Sequence, residues 1–297
     1  MNVAAEISRV FFNPSRQTYR LIGVNAFVFI TISLLGVIGF LFQLQYRPGH
    51  IIADDFLSVP ADLRNLLYKP WTLVTYMFTH KAFFHILFNM LWLYFFGQLF
   101  EEYLGGKKLN YLYFLGGIAG AVLYIFAFNV FPVFKTDLAI AVALGASASV
   151  MAIVVATATL LPDYSVSLIL IGPVKIKYIA IITVLIDLLS IGSGNAGGHI
   201  AHLGGALYGF VYIKQLNNGR DLSLVFQKMY DGTASYFSVK NKLKVAHKAD
   251  SNSKSKDLNV EQHIVDSILD KISKSGYESL TKEEKNLLFK SSNSGQP

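Results

Sequence analysis

Six apolar segments constrain the fold of this chain more than any other feature of its sequence. They cover about residues 23–44, 83–104, 110–131, 145–161, 177–193 and 198–216. A helix of about 20 apolar residues is long enough to cross the hydrocarbon core of a bilayer. With 53% hydrophobic and only 15% charged residues, the chain also has the composition of a membrane protein. The sequence therefore predicts an all-α membrane protein with six transmembrane helices.

The basic residues between these segments predict how the chain is oriented. Most of them fall in the connections of one side, namely Arg9, Arg16, Arg20, Lys107, Lys108, Lys175, Lys177, Lys214 and Arg220. Because cytoplasmic loops carry an excess of Lys and Arg, both termini are predicted to be cytoplasmic. Orientation also explains the net charge of +7 better than nucleic-acid binding, since no compact basic and aromatic surface is evident. The absence of cysteine excludes disulfides, thiolate catalysis and cysteine-type zinc sites.

The regions outside the apolar segments predict an interfacial loop and a soluble tail. The first loop, residues 45–82, mixes charges with aromatic and aliphatic side chains, which is typical of a segment in the membrane interface. Beyond the core, residues 217–257 are polar and rich in lysine, as in a linker. An amphipathic pattern then returns, with a capping box at residues 281–284, and predicts a small helical tail. A solvated, unfolded tail is the alternative.

The predicted domain organisation follows from these changes of composition. It consists of a cytoplasmic N-terminal segment (1–22), a six-helix core (23–216), a polar linker (217–257) and a small cytoplasmic helical tail (258–291).

Polar side chains of three apolar segments are predicted to lie at one depth. In the predicted topology, segments two, four and six all enter the membrane from the outer face. Their first turns contain His85 and Asn89, then Ser147, and then His199 and His202. At 1.5 Å per residue, these residues lie roughly 3–10 Å below the outer boundary. Scattered packing residues have no reason to share a depth, so the alignment indicates a functional site.

These residue types fit serine hydrolysis. Ser147 needs a base within hydrogen-bond reach, and a segment-six histidine, His202, can take the hydroxyl proton and return it to the leaving amine. His85 and Asn89 are four residues apart and share a helix face, from which both can donate hydrogen bonds to an oxyanion. The simpler interpretation of Ser147 alone is helix packing, because small polar residues often hold transmembrane helices together.

Small residues predict which helices pack most closely. Segment four is rich in alanine, while segment six has Gly205 and Gly209 four apart, and segment three has Gly116 and Gly120. Such spacing allows close helix contact in membranes. Segment four is therefore predicted to be a central helix in contact with segment six, which places Ser147 beside a histidine of segment six.

Three motifs resemble those of the rhomboid intramembrane serine proteases, over roughly residues 20–216. They are HKAFFHILFN (80–89), GASA (145–148) and AHLGGALYG (201–209), which are similar to the H-x-x-x-N, G-x-S-G and A-H-x-x-G-x-x-x-G elements. The resemblance implies a six-transmembrane-helix rhomboid bundle with a Ser147–His202 dyad and an oxyanion hole that includes His85 and Asn89. It also implies cleavage of transmembrane protein substrates near the outer membrane face, without metal or cofactor. The tail is similar to those of some bacterial rhomboids, which implies a bacterial cytoplasmic membrane; its own partner is not indicated.

The sequence departs from the rhomboid pattern at two positions. Ala148 stands where a glycine is expected after the serine, and Met151 stands where many rhomboids have a tyrosine that packs on the histidine ring. Neither change removes a reacting group, because methionine can also pack against an aromatic edge.

Several alternatives remain at the level of sequence. His199 lies three residues before His202 and can serve as the base, although the spacing to Gly205 and Gly209 favours His202. Asp187 is an intramembrane acid, for which a structural hydrogen bond to a neighbouring helix or to His199 is favoured over a triad role. A metal-dependent hydrolase that uses His85, His199, His202 and Asp187 is one different class of function. A catalytically silent rhomboid-like protein that recognises transmembrane helices is another. Membrane lipid is an expected partner whichever function applies.

Overall fold

The computed structural model describes residues 16–44, 48–168, 172–224 and 264–293. Arg9 and most of the predicted linker lie outside these residues. The chain divides into two compact units, Met1–Phe237 and Ser238–Pro297. Within the described part, the first unit is built from six long helices. These are α1 (Gln17–Leu41), α2 (Phe83–Leu104), α3 (Gly106–Val130), α4 (Ser147–Leu160), α5 (Ile176–Leu189) and α6 (Ala196–Asn217).

Each predicted apolar segment corresponds to one of these helices, with the largest shift at the start of α1. The helix begins at Gln17 rather than near residue 23. The reason is a cap from another helix, because the Glu101 carboxylate accepts hydrogen bonds from the backbone N–H groups of Gln17 (2.6 Å) and Thr18 (3.0 Å) and from the Thr18 hydroxyl (2.6 Å). A carboxylate satisfies the free N–H groups of a helix N-terminus and favours its positive dipole end.

The helices differ in how they relate to the thickness of a membrane. Among the described residues, α1, α2 and α3 are long and apolar enough to cross a bilayer. Helices α4 and α5 have 14 residues each and are therefore about 21 Å long, shorter than the roughly 30 Å of the hydrocarbon core. Most residues of α4 are buried, while its first residue, Ser147, is half-buried. The fold is that of an all-α membrane protein.

The first loop is mostly helical and contacts the segment that leads into α4. It contains short helices at Pro48–Ile51, Leu63–Tyr68 and Thr72–Thr75, a π-helical turn at Ile52–Leu57 and a 3₁₀ turn at Tyr76–Phe78. Its strand β1 (Val59–Pro60) pairs antiparallel with β2 (Val142–Ala143), with Val59 opposite Ala143. The side chains of Leu67 and Tyr68 are 80% and 81% exposed, as expected of residues that face a membrane interface.

A second pair of strands lies between α4 and α5. Strand β3 (Ser165–Leu168) pairs antiparallel with β4 (Gly172–Lys175). Near it, Lys177 and Lys175 each approach Asp163 to 2.9 Å. The hydrogen bond from Lys177 has the largest effect, followed by that from Lys175, and together they lower the pKa of Asp163 to about 2.

Helices α3, α4 and α6 pack backbone against backbone through their glycines. A Cβ atom added at Gly205 or Gly209 of α6 would overlap the carbonyl oxygen of Ala148 or Ala152 in α4. On α3, a Cβ atom at Gly120 would lie 2.5 Å from the Cβ of Ala148 and 2.7 Å from the carbonyl oxygen of Ala201. Only residues without a side chain allow this approach. The prediction of a central α4 in contact with α6 is confirmed.

The second unit contains two helices in its described part. They are α7 (264–275) and α8 (Lys282–Asn293), separated by Gly276 and a 3₁₀ turn at Tyr277–Ser279. The predicted capping box is present, since the N–H of Thr281 donates to Glu284 (2.8 Å) and the N–H of Glu284 donates to the Thr281 hydroxyl (3.3 Å). A hydrogen bond from Lys271 is the main reason that the pKa of Glu284 is lowered. The helical prediction for this region is therefore correct within the described residues.

Candidate active site

The backbone that leads into α4 is held in an unusual conformation before Ser147. Gly145 has a φ of +123°, which L side chains rarely adopt. Its N–H donates to the carbonyl of Tyr76 (2.9 Å), and the N–H of Ala146 donates to Nε2 of His80 (3.3 Å). Both acceptors lie in the last residues of the first loop, just before α2, so this region fixes the position at which α4 begins.

His85 of α2 lies directly over this glycine. A Cβ atom at Gly145 would stand 2.8 Å from Cε1 and 3.0 Å from Nε2 of His85, and 3.7 Å from the Ser147 hydroxyl oxygen. Any larger residue at 145 would therefore displace the imidazole. Because Ser147 is the first residue of α4, its N–H is among the helix-terminal donors that have no partner within the helix. The serine hydroxyl, this N–H and the His85 ring thus share one small region.

Asn89 is also close, but its amide is engaged within its own helix. Its Nδ2 donates to the carbonyl of His85 at 2.8 Å, and its side chain is buried. The amide group has a second N–H, which remains available for an oxyanion. The structure thus brings Asn89 to the site with one donor committed to the backbone.

His80 also belongs to the candidate site, although the sequence did not predict a role for it. It is fully buried, accepts the Ala146 N–H, and meets the His85 ring edge to face with 5.1 Å between centroids. It therefore supports both the segment before Ser147 and the His85 imidazole. The signal in the sequence was its position five residues before His85, at the start of the first motif.

Two cavities meet at the site. One, of about 420 Å³, lies between α2 and α5 and has mostly apolar walls; the other, of about 650 Å³, lies under the segments 137–145 and 194–198. Ser147, His85 and His202 line both cavities. Met151, at the position where a tyrosine is typical of the resembled family, lines the apolar one together with Asn89 and Asp187.

His202 of α6 is brought to Ser147 by the close packing of the two helices. It lies three residues before Gly205, whose Cα faces the Ala148 carbonyl. No hydrogen bond joins the Ser147 hydroxyl to His202 within the described part of the chain, although both line the same walls. Such bonds are often long in free enzymes and shorten when substrate binds. His199, the alternative base, lines neither of these two cavities.

Asp187 connects α5 to both histidines of α6. Its Oδ1 atom lies 2.8 Å from Nδ1 of His199 and 2.9 Å from Nδ1 of His202. Asp187 as a whole is only 5% exposed. The expected bond to His199 is therefore present, and a second bond, to His202, accompanies it.

The same three residues form a cluster that has the composition of a metal site. Their ligand atoms lie within 4.8 Å of one another, whereas His85, the fourth ligand considered from the sequence, does not belong to the cluster among the described residues. Two ligands about 2.05 Å from a tetrahedral zinc ion are roughly 3.3 Å apart. The observed separations of 2.8 Å and 2.9 Å are those of direct hydrogen bonds.

The fold and this site together define a helical membrane protein with a serine and a histidine at the meeting point of two cavities. The sequence profile of the Rhomboid domain matches residues 68–217. The chain belongs to the rhomboid family. The resemblance that the three motifs carried is thereby confirmed.

Two curated relatives and a second profile extend the comparison. The chain is 32% identical over 158 residues to RHOMBOID-like protein 12, mitochondrial, of Arabidopsis thaliana. That alignment covers 50% of this chain and 47% of the relative. It is 30% identical over 162 residues to Presenilin-associated rhomboid-like protein A, mitochondrial, of Danio rerio. That alignment covers 53% of this chain and 39% of the relative. The chain thus spans half or less of the length of these relatives. Residues 255–294 match a family of unknown function, DUF6576.

Proposed function

We propose that this protein is an intramembrane serine endopeptidase in which Ser147 is the nucleophile and His202 the general base. The Ser147 hydroxyl attacks the scissile carbonyl while Nε2 of His202 takes its proton. The Ser147 N–H, His85 and Asn89 hold the resulting oxyanion. His202 then returns the proton to the leaving amine, and a water molecule hydrolyses the acyl-enzyme by the same base.

The observation that carries this proposal is the shared lining of the two cavities. Ser147, His85 and His202 come from three different helices and line both. The apolar cavity between α2 and α5 suits a segment of a transmembrane substrate that approaches from the lipid. The other cavity has a more polar lining, including Lys81, Asp137 and Asn195, and suits the water that hydrolysis requires inside a membrane. Transmembrane proteins are therefore the proposed substrates, and membrane lipid is the surrounding partner.

The decisive experiment compares cleavage of a transmembrane reporter in liposomes by the wild type and by Ser147→Ala. Ser149→Ala is the matched control, because Ser149 lies on the same helix but its hydroxyl faces Gly117 of α3. We expect Ser147→Ala to abolish cleavage and Ser149→Ala to retain it, with no effect of a chelator. Loss with the chelator would support the metal-dependent alternative instead, with Asp187, His199 and His202 as its ligands.

A catalytically silent helix binder is the second candidate function. It is favoured by the absence of a Ser147–His202 hydrogen bond among the described residues and by Ala148, which adds a methyl group beside the serine. A fluorophosphonate probe separates the two candidates. Labelling of the wild type but not of Ser147→Ala supports the protease, whereas reporter binding without labelling or cleavage supports the binder.

The location in the membrane is the final part of the proposal. The chain is membrane-embedded, and the distribution of Lys and Arg supports cytoplasmic N- and C-termini. We propose the bacterial cytoplasmic membrane, in line with the tail, whereas the names of the two relatives assign those proteins to mitochondria. Fractionation of the source cells, with protease protection of the tail, tests both statements.

A further inference from the structure

We propose that Asp187 is a positioning residue that holds the His202 imidazole with its proton on Nδ1 and its Nε2 lone pair directed to Ser147. The inference rests on the proposed function, which it extends from a serine–histidine pair to a site with a third, orienting group. It also assigns His199 a role, that of a second anchor for the same carboxylate.

The hydrogen bonds determine where the protons are. An ionised carboxylate can only accept, so both imidazole Nδ1 atoms that contact Asp187 must carry a hydrogen. A neutral His202 then has its lone pair on Nε2, which is the form that accepts a proton from a serine hydroxyl. Without an acceptor at Nδ1, the imidazole divides between two tautomers, and one of these is inactive as a base.

The position of Asp187 in its helix supports a specific role. Helix α5 is peripheral, and its buried residues are Ile176, Ala180 and Asp187, which fall on one face. Most of the remainder of α5 is exposed and apolar. Burying an acidic side chain on a membrane helix is energetically unfavourable, so such a residue is expected only where hydrogen-bond partners offset the loss of hydration. Oδ2 of Asp187 has no hydrogen-bond partner in the described part of the chain, so the two imidazoles are its polar contacts there.

The two histidines have different roles because of their surroundings. His202 lines both cavities with Ser147, whereas His199 lines neither and precedes it by one turn of α6. Since both donate to the same oxygen atom, His199 restricts the rotation of the carboxylate and so fixes the bond to His202. His199 thus acts on Ser147 only through Asp187 and His202.

The test is a measurement of the His202 tautomer by ¹⁵N NMR of histidine-labelled full-length protein in detergent, at a pH where the imidazole is neutral. The His202 signals are assigned by their loss in His202→Ala. We expect the Nδ1–H form in the wild type and a mixture of forms in Asp187→Leu. Asn25→Leu is the matched control, because Asn25 is also buried and makes two hydrogen bonds, to the Leu21 carbonyl and the Tyr113 hydroxyl, far along the chain from the site.

Kinetics provide the second readout. In triad hydrolases, changing the orienting aspartate lowers kcat by up to about 10⁴-fold, so we expect about a 100-fold loss of kcat in Asp187→Leu with KM changed less than about threefold. Asn25→Leu is expected to retain kcat and the wild-type tautomer. A merely structural role for Asp187 would lower the folded fraction of the protein but would leave the tautomer of the folded fraction unchanged.

The outcomes separate this inference from the proposed function. A wild-type His202 in the Nε2–H form overturns the inference, even if Asp187→Leu fails to fold. Histidine signals that change when a chelator is added also overturn it, because they assign the cluster to a metal ion. Cleavage that survives Ser147→Ala refutes the proposed function, while the tautomer measurement still decides whether Asp187 orients His202.

Discussion

The contact between α4 and α6 predicts the effect of a single methyl group. In Gly205→Ala, the new Cβ atom overlaps the carbonyl oxygen of Ala148. The conflicting atom belongs to the backbone and cannot rotate away. Because van der Waals contact requires about 3.5 Å, the two helices must separate by about 1.5 Å. The displaced residue is the immediate neighbour of Ser147.

The magnitude follows from two opposing contributions. Overpacking of a close contact costs about 1–3 kcal/mol, while replacing glycine by alanine in a helix contributes about 0.5–1 kcal/mol of stability. The net loss for Gly205→Ala therefore lies between about 0 and 2.5 kcal/mol, toward the upper end because the overlapped atom belongs to the backbone. A displacement of about 1 Å at a catalytic group can lower the rate about 100-fold, so activity should fall more than stability does.

Gly36→Ala in α1 is the control for this prediction, since a Cβ atom there has nothing within 4 Å. It retains the helix-propensity gain without the overlap. The assay compares thermal unfolding in detergent and reporter cleavage for both variants and the wild type. If Gly205→Ala matches Gly36→Ala in unfolding midpoint and in cleavage rate, the close packing of α4 and α6 does not position Ser147.

Three further predictions address the base, the lateral opening and the tail. His202→Ala should abolish reporter cleavage and His199→Ala only weaken it, because only the former lines the cavities; the reverse order would assign the base to His199. Cysteines at Phe84 and Leu188, joined by a bifunctional reagent in this otherwise cysteine-free chain, should block cleavage of the transmembrane reporter but not fluorophosphonate labelling. Unchanged cleavage would exclude access between α2 and α5. Thr281→Ala removes the cap of α8 at a cost of about 0.5–2 kcal/mol, so the amides of α8 should exchange faster with deuterium in the full chain; equal exchange would show that the cap does not stabilise this helix.

Much of the fold was predictable because the membrane acts as a simple solvent. Apolar length identifies spanning helices, and each predicted segment corresponds to a helix. Glycine spacing identified the α4–α6 contact, because close approach of backbones depends on local residue size. The early start of α1 was not predictable from its own sequence, since Glu101 of α2 supplies the cap.

The candidate site was predictable only as a set of residue types at one depth. Helix periodicity and topology placed Ser147, His85 and His202 near the outer face, and the motifs assigned their proposed roles. His80 was missed because its acceptor role depends on the Ala146 N–H, 66 residues away in the chain. The spacing to Gly205 and Gly209 favoured His202 over His199 as the base, but both lie on one face of α6, so the sequence did not show which of them shares a cavity with Ser147.

The sequence by itself determined the apolar helices, the family and the candidate site residues, because these follow from local composition and short motifs. Only the tertiary structure decided that Asp187 of α5 reaches both histidines of α6, at 2.8 Å and 2.9 Å. It also decided that Gly145 is covered by the His85 ring. Both contacts join residues of different helices, and their geometry depends on the angle and separation at which those helices pack, which no single segment specifies.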